Sequence, residues 1–184
     1  MILKIRQAGE PVLRQAARAL SREEILSPEI QGLIEIMRET MLDAPGVGLA
    51  APQVGLSIQL AVIEDKPEYS DKLPPQQVTD RDRHAVPFHV IINPVLNIIG
   101  QETAEFFEGC LSLGGFAAKV RRALRVHVEC LNEHAEPVSI DAQGWYARIL
   151  QHEIGHLRGE LYIDHMDSRT FTSTDNHSRY SNKK

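Results

Sequence analysis

Between residues 30 and 42 apolar side chains recur at spacings of three and four: Ile30, Leu33, Ile34, Met37, Met41 and Leu42. That period predicts an amphipathic helix with one buried face. Ser27 suits its N-cap, Pro28 the first helical position and Glu29 the positive end of the helix dipole, while Ala44-Pro45-Gly46 ends it. An earlier start at Ser21, with Glu24 closing a capping box, would place Pro28 inside the helix. The next segment, GVGLAAPQVG (46–55), is too glycine-rich for a helix and too apolar for a solvated loop. SIQLAVIE (57–64) then reads as a strand.

Residues 65–87 are polar and carry four prolines, which predicts a long surface excursion, read as a solvated loop rather than a lid. Three β-like runs follow, HVIINPVLNIIG, ETAEFFEG and ALRVHVECLN; in the last, Val126, Val128 and Cys130 share one face. A second helix is expected over residues 142–157, capped by Asp141 and stopped by Gly159, with Trp145, Ile149, Leu150 and Leu157 on its apolar side. The expected fold class is α+β, with small antiparallel β-sheets packed around this central helix. A single domain spans residues 1–170, and residues 171–184 form a polar tail expected to fray.

Composition narrows the function. The chain has 184 residues, 42% hydrophobic and 24% charged, with a net charge of −5 and no long basic run. A mildly acidic surface of this kind argues against a nucleic-acid partner. No apolar stretch approaches the ~20 residues of a membrane span. The N-terminal MILKIRQAGEPVLRQ lacks the apolar core of a secretory signal, and Cys110 and Cys130 form no disulfide framework. The expected location is the cytoplasm, or an organelle matrix or stroma after removal of a leader. The oligomeric state is not legible.

The chemistry concentrates on the second helix, in Gln151-His152-Glu153-Ile154-Gly155-His156. Histidines four apart share a helix face, so both imidazoles of this HExxH pattern can bind one metal ion, with Glu153 beside it as a proton acceptor and donor. Three fixed residues in five can also arise by chance on an ordinary helix. A catalytic metal needs a third protein ligand. Glu160 and His165 lie downstream, but Cys110, in Glu108-Gly109-Cys110-Leu111-Ser112 after a predicted strand, is the stronger candidate because a thiolate binds borderline metals well. Cys130, by its alternation, reads as core. Within 46–53, the glycines allow close approach of a substrate and Gln53 can offer an amide N–H to an oxyanion, although a tight packing loop would look the same. Spacing alone suggests zinc.

Taken together, GVGLAAPQ, EGCLS and QHEIGHL, in that order, resemble the peptide deformylases, whose pattern is GΦGΦAAPQ, EGCΦS and QHEΦDHL with Φ hydrophobic. The resemblance extends from GEPVLR near the start to IDHMDSRTF near the end, and GWYARILQHE is most similar to the branch with mitochondrial and plastid members. It implies a metal-dependent hydrolase that removes the formyl group from the N-terminal formylmethionine of nascent polypeptides near the ribosome. It further implies Cys110, His152 and His156 as metal ligands, Glu153 as general base and then acid, and Gln53 with the Leu111 backbone N–H facing the oxyanion. Fe²⁺ is the implied metal, with Ni²⁺ or Zn²⁺ able to substitute. Val47, Gly48, Trp145 and Ile149 are the candidate substrate-binding residues, and all but Gly48 read equally well as core.

One position departs from the family pattern. The aspartate before the second histidine is Gly155 here, which removes a carboxylate beside the site and could leave Arg122 to pair with Glu108. Cys110, His152, His156 and Glu153 all remain, so an active enzyme is still expected, weaker or more easily demetallated, with a non-catalytic binding protein as the alternative. The HExxH helix alone also permits a metallopeptidase that cuts internal bonds, but Cys110 and the Gln53 loop favour the deformylase reading.

Overall fold

The computed structural model describes residues 1–180; the end of the expected tail, residues 181–184, lies outside the described residues. Among the described residues eight strands form two antiparallel sheets. The larger runs β1 (Gly48–Ala50), β2 (Leu60–Asp65), β3 (Val86–Ile98), β6 (Arg125–Leu131), β7 (Pro137–Gln143). The smaller contains β4 (Thr103–Gly109), β5 (Phe116–Ala123) and β8 (Thr172–Ser173).

Alternation along β2 and β3 explains how the large sheet is covered on both faces. Leu60, Val62, Val90 and Ile92 point to one side, where they meet Ile34, Met37 and Met41 of helix α2 (Pro28–Asp43). Ala61, Ile63 and Ile91 point to the other, where Ala147, Leu150 and Ile154 of helix α5 (Gly144–Leu157) cover them with Val126, Val128 and Cys130. The expected α+β arrangement around a central helix is therefore present. Among the described residues no helix is long and apolar enough to cross a membrane.

Both expected starts of the first helix are realised. Ser21 and Glu24 close a capping box on a one-turn helix, α1 (Arg22–Ile25), and Ser27 caps α2 with Pro28 in its first turn. The chain breaks between them, so the proline never sits in a helix interior. Gly159 adopts φ +79° after α5, in keeping with its expected role as a stop.

Four expectations are corrected. Asp141 does not cap α5: residues 137–143 pair with β6 along their whole length, and the helix starts at Gly144. A continuous ladder outweighs one side-chain cap. Residues 116–123, not anticipated as a strand, pair with β4 from Thr103↔Ala123 to Gly109↔Ala117. Residues 172–180 are not frayed, because Thr172 and Ser173 pair with β5 and α6 (Thr174–Tyr180) follows.

The excursion over 65–87 is the fourth. It begins as the last residue of β2, holds two short helices, α3 (Pro67–Ser70) and α4 (Pro75–Asp80), and docks on the start of α5. Arg83 donates two hydrogen bonds to the buried carboxylate of Asp65, at 2.8 and 2.7 Å. Asp82 accepts from the backbone N–H of Trp145 at 3.4 Å and from Gln143 Nε2 at 2.8 Å. Gly144, at φ +60°, permits this approach, since a Cβ there would lie 2.6 Å from the Asp82 carbonyl oxygen. The excursion is thus a wall of the cleft described next.

Candidate metal centre

Three segments distant in sequence converge at the middle of α5. The helix contributes His152 and His156, one turn apart on one face, with Glu153 next to the first of them. The end of β4 delivers Glu108 and then Cys110, which precedes a 3-10 turn, Leu111–Leu113. Edge strand β1 runs into a second 3-10 turn, Ala51–Val54, that carries Gln53.

One potential ligand atom from each of Cys110, His152 and His156 lies within 4.8 Å of the others, and Cys110 Sγ is 3.3 Å from His156 Nε2. Glu160 and His165, the alternatives for the third ligand, pair with each other at 3.0 Å and stand outside this cluster. A thiolate and two imidazoles at such separations suit one borderline divalent ion. His152 Nδ1 bonds Glu108 Oε2 at 3.1 Å, which leaves its Nε2 as the ring atom available to a metal.

Glu108 is the hub behind this cluster. Arg122 reaches it with two N–H groups, at 3.0 and 2.9 Å, and Arg148 Nη1 with one at 2.7 Å. Arg148 also donates to the carbonyls of Val120 and Ala104, both at 2.8 Å. Burial works against the Glu108 charge, but His152 and Arg122 outweigh it and hold the carboxyl well below its usual range. Burial likewise opposes charge on His152, yet its bonds to Cys110 and Glu108 raise it; His156 is lowered by burial and by the neighbouring cations.

Glu153 is 4% exposed, and its Oε2 has no hydrogen-bond partner. Burial pushes its pKa up to about 7, with Glu108 adding to the shift and His152 opposing it. A buried carboxyl with a free oxygen beside three potential ligand atoms is placed to exchange protons. Gln53 lines the same cleft and is 1% exposed: its Oε1 accepts from Ala50 N–H at 2.9 Å, and its Nε2 donates to Ser112 Oγ at 3.2 Å and faces Cys110 Sγ at 3.5 Å. Leu111 is the first residue of its turn, where a backbone N–H has no partner within the turn itself.

A cleft of about 480 Å³ opens over these groups, lined by Gly46, Val47, Gly48, Gln53, Leu111, Trp145, Ile149 and Glu153 among others. Val47, Trp145 and Ile149 line it and also pack against the core behind α5. Sequence reasoning missed Arg81, Arg148, Phe116 and Thr174 on the same walls. Arg148 had a signal, four residues before His152 on the same helix face. Arg81 and Thr174 had none, because their segments read as solvated.

The comparisons with known proteins bear on this arrangement. The sequence model of the family described as Polypeptide deformylase matches residues 2–172. The chain belongs to that family. "Peptide deformylase 1A, chloroplastic" of Solanum lycopersicum is 48% identical over 170 residues, 92% of this chain and 61% of that protein. "Peptide deformylase, mitochondrial" of Homo sapiens is 40% identical over 91% of this chain and 69% of its own length. A crystal structure titled as a Met-Ala-Ser-bound class I type b peptide deformylase from Acinetobacter baumannii superposes with a TM-score of 0.80 at 32% identity, covering 90% of this chain and 99% of that one. The chain spans 61% and 63% of the two plant relatives it matches.

Against the family pattern, the departure at Gly155 now has a local setting. Arg122 is not left unpaired, since both its donors reach Glu108. Arg122 and Gly155 line one cavity with Glu160, whose Oε2 is 3.7 Å from where a Cβ at 155 would stand. A carboxylate is therefore present near that place, carried by a different residue.

Proposed function

We propose that the chain hydrolyses the N-formyl group from peptides that begin with formylmethionine, releasing formate and a free amino terminus. The observation that carries this reading is Glu153, buried with one unpartnered oxygen beside Cys110, His152 and His156 in the cleft that Gln53 also lines. The donor set fits one metal ion held by Cys110, His152 and His156; when bound, that ion supplies a Lewis acid for the formyl oxygen and for the attacking water. Fe²⁺ is the metal we infer, with Ni²⁺ or Zn²⁺ as substitutes.

The chain's own groups account for the remaining steps. Gly46, Val47 and Gly48 run along the cleft into an edge strand, a place for an extended peptide backbone, with the methionine side chain toward Val47 and Ile149. Glu153 takes a proton from water as its oxygen bonds to the formyl carbon. The resulting oxyanion is faced by the Gln53 amide and the Leu111 N–H. The C–N bond then breaks, and Glu153 returns the proton to the departing amine nitrogen. The substrates in the cell would be N-formylmethionyl nascent chains close to the ribosome. Unpaired Cys110 and Cys130 suit a reducing compartment, the cytoplasm in our reading, or an organelle matrix or stroma.

The test is formate release from formyl-Met-Ala-Ser by protein purified without oxygen and loaded with Fe²⁺ or Ni²⁺. Turnover that Glu153→Ala removes supports the assignment. Stoichiometric metal without turnover points instead to a protein that binds peptide ends without cleaving them.

A further inference from the structure

The far end of the cleft carries more positive charge than its own carboxylates neutralise. Three guanidinium groups surround the ring of Trp145: Arg81 at 4.7 Å from its centroid, Arg83 at 5.3 Å and Arg148 at 5.9 Å. Arg83 is satisfied by Asp65, and Arg148 shares Glu108 with Arg122. Four arginines thus stand against two carboxylates. Asp82, next to Arg81 in sequence, turns its carboxylate to Gln143 and His84 instead.

Arg81 is the residue left over. Among the described residues its guanidinium has no carboxylate within ion-pair distance and no hydrogen-bond acceptor, although it lines the cleft and is only partly exposed. Burial and the charges of Arg83 and Arg148 both weigh against its protonated form. Its face is held by Trp145 and, at 5.8 Å, by Phe106, which fixes the planar fork while leaving its edge donors unengaged. An isolated, pre-oriented guanidinium in a partly desolvated wall is built to receive a carboxylate.

Resting on the deformylase reading, we propose that Arg81 is a specificity-determining residue. With Trp145 it forms a subsite for a carboxylate carried by the peptide one or two residues after its formylmethionine. The reach is consistent: Trp145 precedes His152 by seven residues, roughly 10 Å along the helix, and an extended peptide advances about 3.3 Å per residue. The 65–87 excursion therefore contributes substrate selection, a role its polar sequence concealed.

The carboxylate could be an acidic side chain or, in a short peptide, the C-terminus, so the peptides are amidated in one arm and free in another. Formyl-Met-Asp-Ser-amide and formyl-Met-Ala-Asp-amide are each compared with the Asn counterpart, on wild type and on Arg81→Gln, as kcat/KM. Wild type should prefer one Asp peptide by roughly tenfold, and Arg81→Gln should bring that ratio near unity. Each ratio is taken within one protein preparation, so loss of active enzyme in the variant does not move it. A preference for free over amidated C-termini that Arg81→Gln removes would assign the subsite to the peptide terminus; no preference in any arm, or one that survives Arg81→Gln, overturns the proposal.

A second readout separates this subsite from the reaction itself. Trp145 is the chain's single tryptophan, so its fluorescence reports occupancy without turnover. If no formyl peptide is cleaved, Met-Asp-Ser-amide and Met-Asn-Ser-amide, or Met-Ala-Asp-amide and Met-Ala-Asn-amide, are titrated against that signal. Tighter binding of an Asp peptide that is lost in Arg81→Gln supports the subsite; equal binding sinks it.

Discussion

Gly48 is packed against Glu153 so closely that a Cβ at position 48 would fall within the carboxylate of the glutamate. The glycine is there for space, since its backbone is ordinary strand in β1. Gly48→Ala is expected to push Glu153 aside. Overpacking of this kind costs about 1–3 kcal/mol, and a displacement near 1 Å at a reacting group can cost on the order of 100-fold in rate. Formate release and thermal unfolding measured on the same preparation check it. A variant within twofold of wild-type activity would show that the contact does not position Glu153.

Glu108 predicts a larger loss of stability. It is 5% exposed and joins Arg122, Arg148 and His152, so Glu108→Gln leaves two buried guanidinium groups short of a counter-charge. Removing one partner of a buried ionic group is expected to cost about 3–5 kcal/mol. The imidazole of His152 would also lose the carboxylate that orients it, lowering metal affinity by roughly 10–100-fold. Urea unfolding of the metal-free protein and competition with a chelator separate the two effects. Unchanged chelator competition would confine Glu108 to a structural role.

Much of this site was legible because its chemistry is written in short, local patterns. His152, Glu153 and His156 need only a helix to meet, and Ser27-Pro28 and Gly159 punctuate the chain through their own backbone preferences. The strand over 116–123 escaped notice because its alternation is interrupted by Lys119, Arg121 and Arg122, and Arg122 is charged yet mostly covered because Glu108 pairs with it. Asp141 looked like a cap for the same kind of reason: local capping is readable, while the ladder that claims it is set by β6. The cleft's Arg81 and Thr174 depend on docking of polar segments, which no periodicity announces.

His89 should make stability depend on pH. Its Nδ1 lies 2.9 Å from the Pro87 carbonyl and its Nε2 2.9 Å from Tyr146 Oη, which fits a neutral ring that donates to the first and accepts from the second. Burial lowers its pKa, outweighing the Pro87 carbonyl and the Glu133 charge. The unfolded chain therefore takes up a proton near the ordinary value of 6.5, before the folded one does. The contribution is complete above that value and declines as pH falls from it toward the lower folded pKa. His89→Gln keeps an acceptor for Tyr146 and does not titrate. Urea midpoints at pH 7.5 and pH 5 should show wild type losing ground to the variant on acidification; a gap that stays constant would contradict the assignment.

Gly155 is the remaining departure, and Glu160 explains which replacements should be tolerated. A Cβ at 155 would meet only Glu160, with Oε2 at 3.7 Å and Cβ at 3.8 Å, ordinary contact distances. Gly155→Ala should therefore gain what a helix gains when glycine becomes alanine, about 0.5–1 kcal/mol, seen as a rise of a few degrees in Tm. Gly155→Asp adds the same Cβ but brings a second carboxylate toward Glu160, so its gain should be smaller and should recover when Glu160→Gln is added. Thermal unfolding of the three variants, at low and high salt, tests this directly. An Asp variant as stable as the Ala variant at both salts would mean that Glu160 does not occupy the electrostatic place that the family's aspartate would have filled.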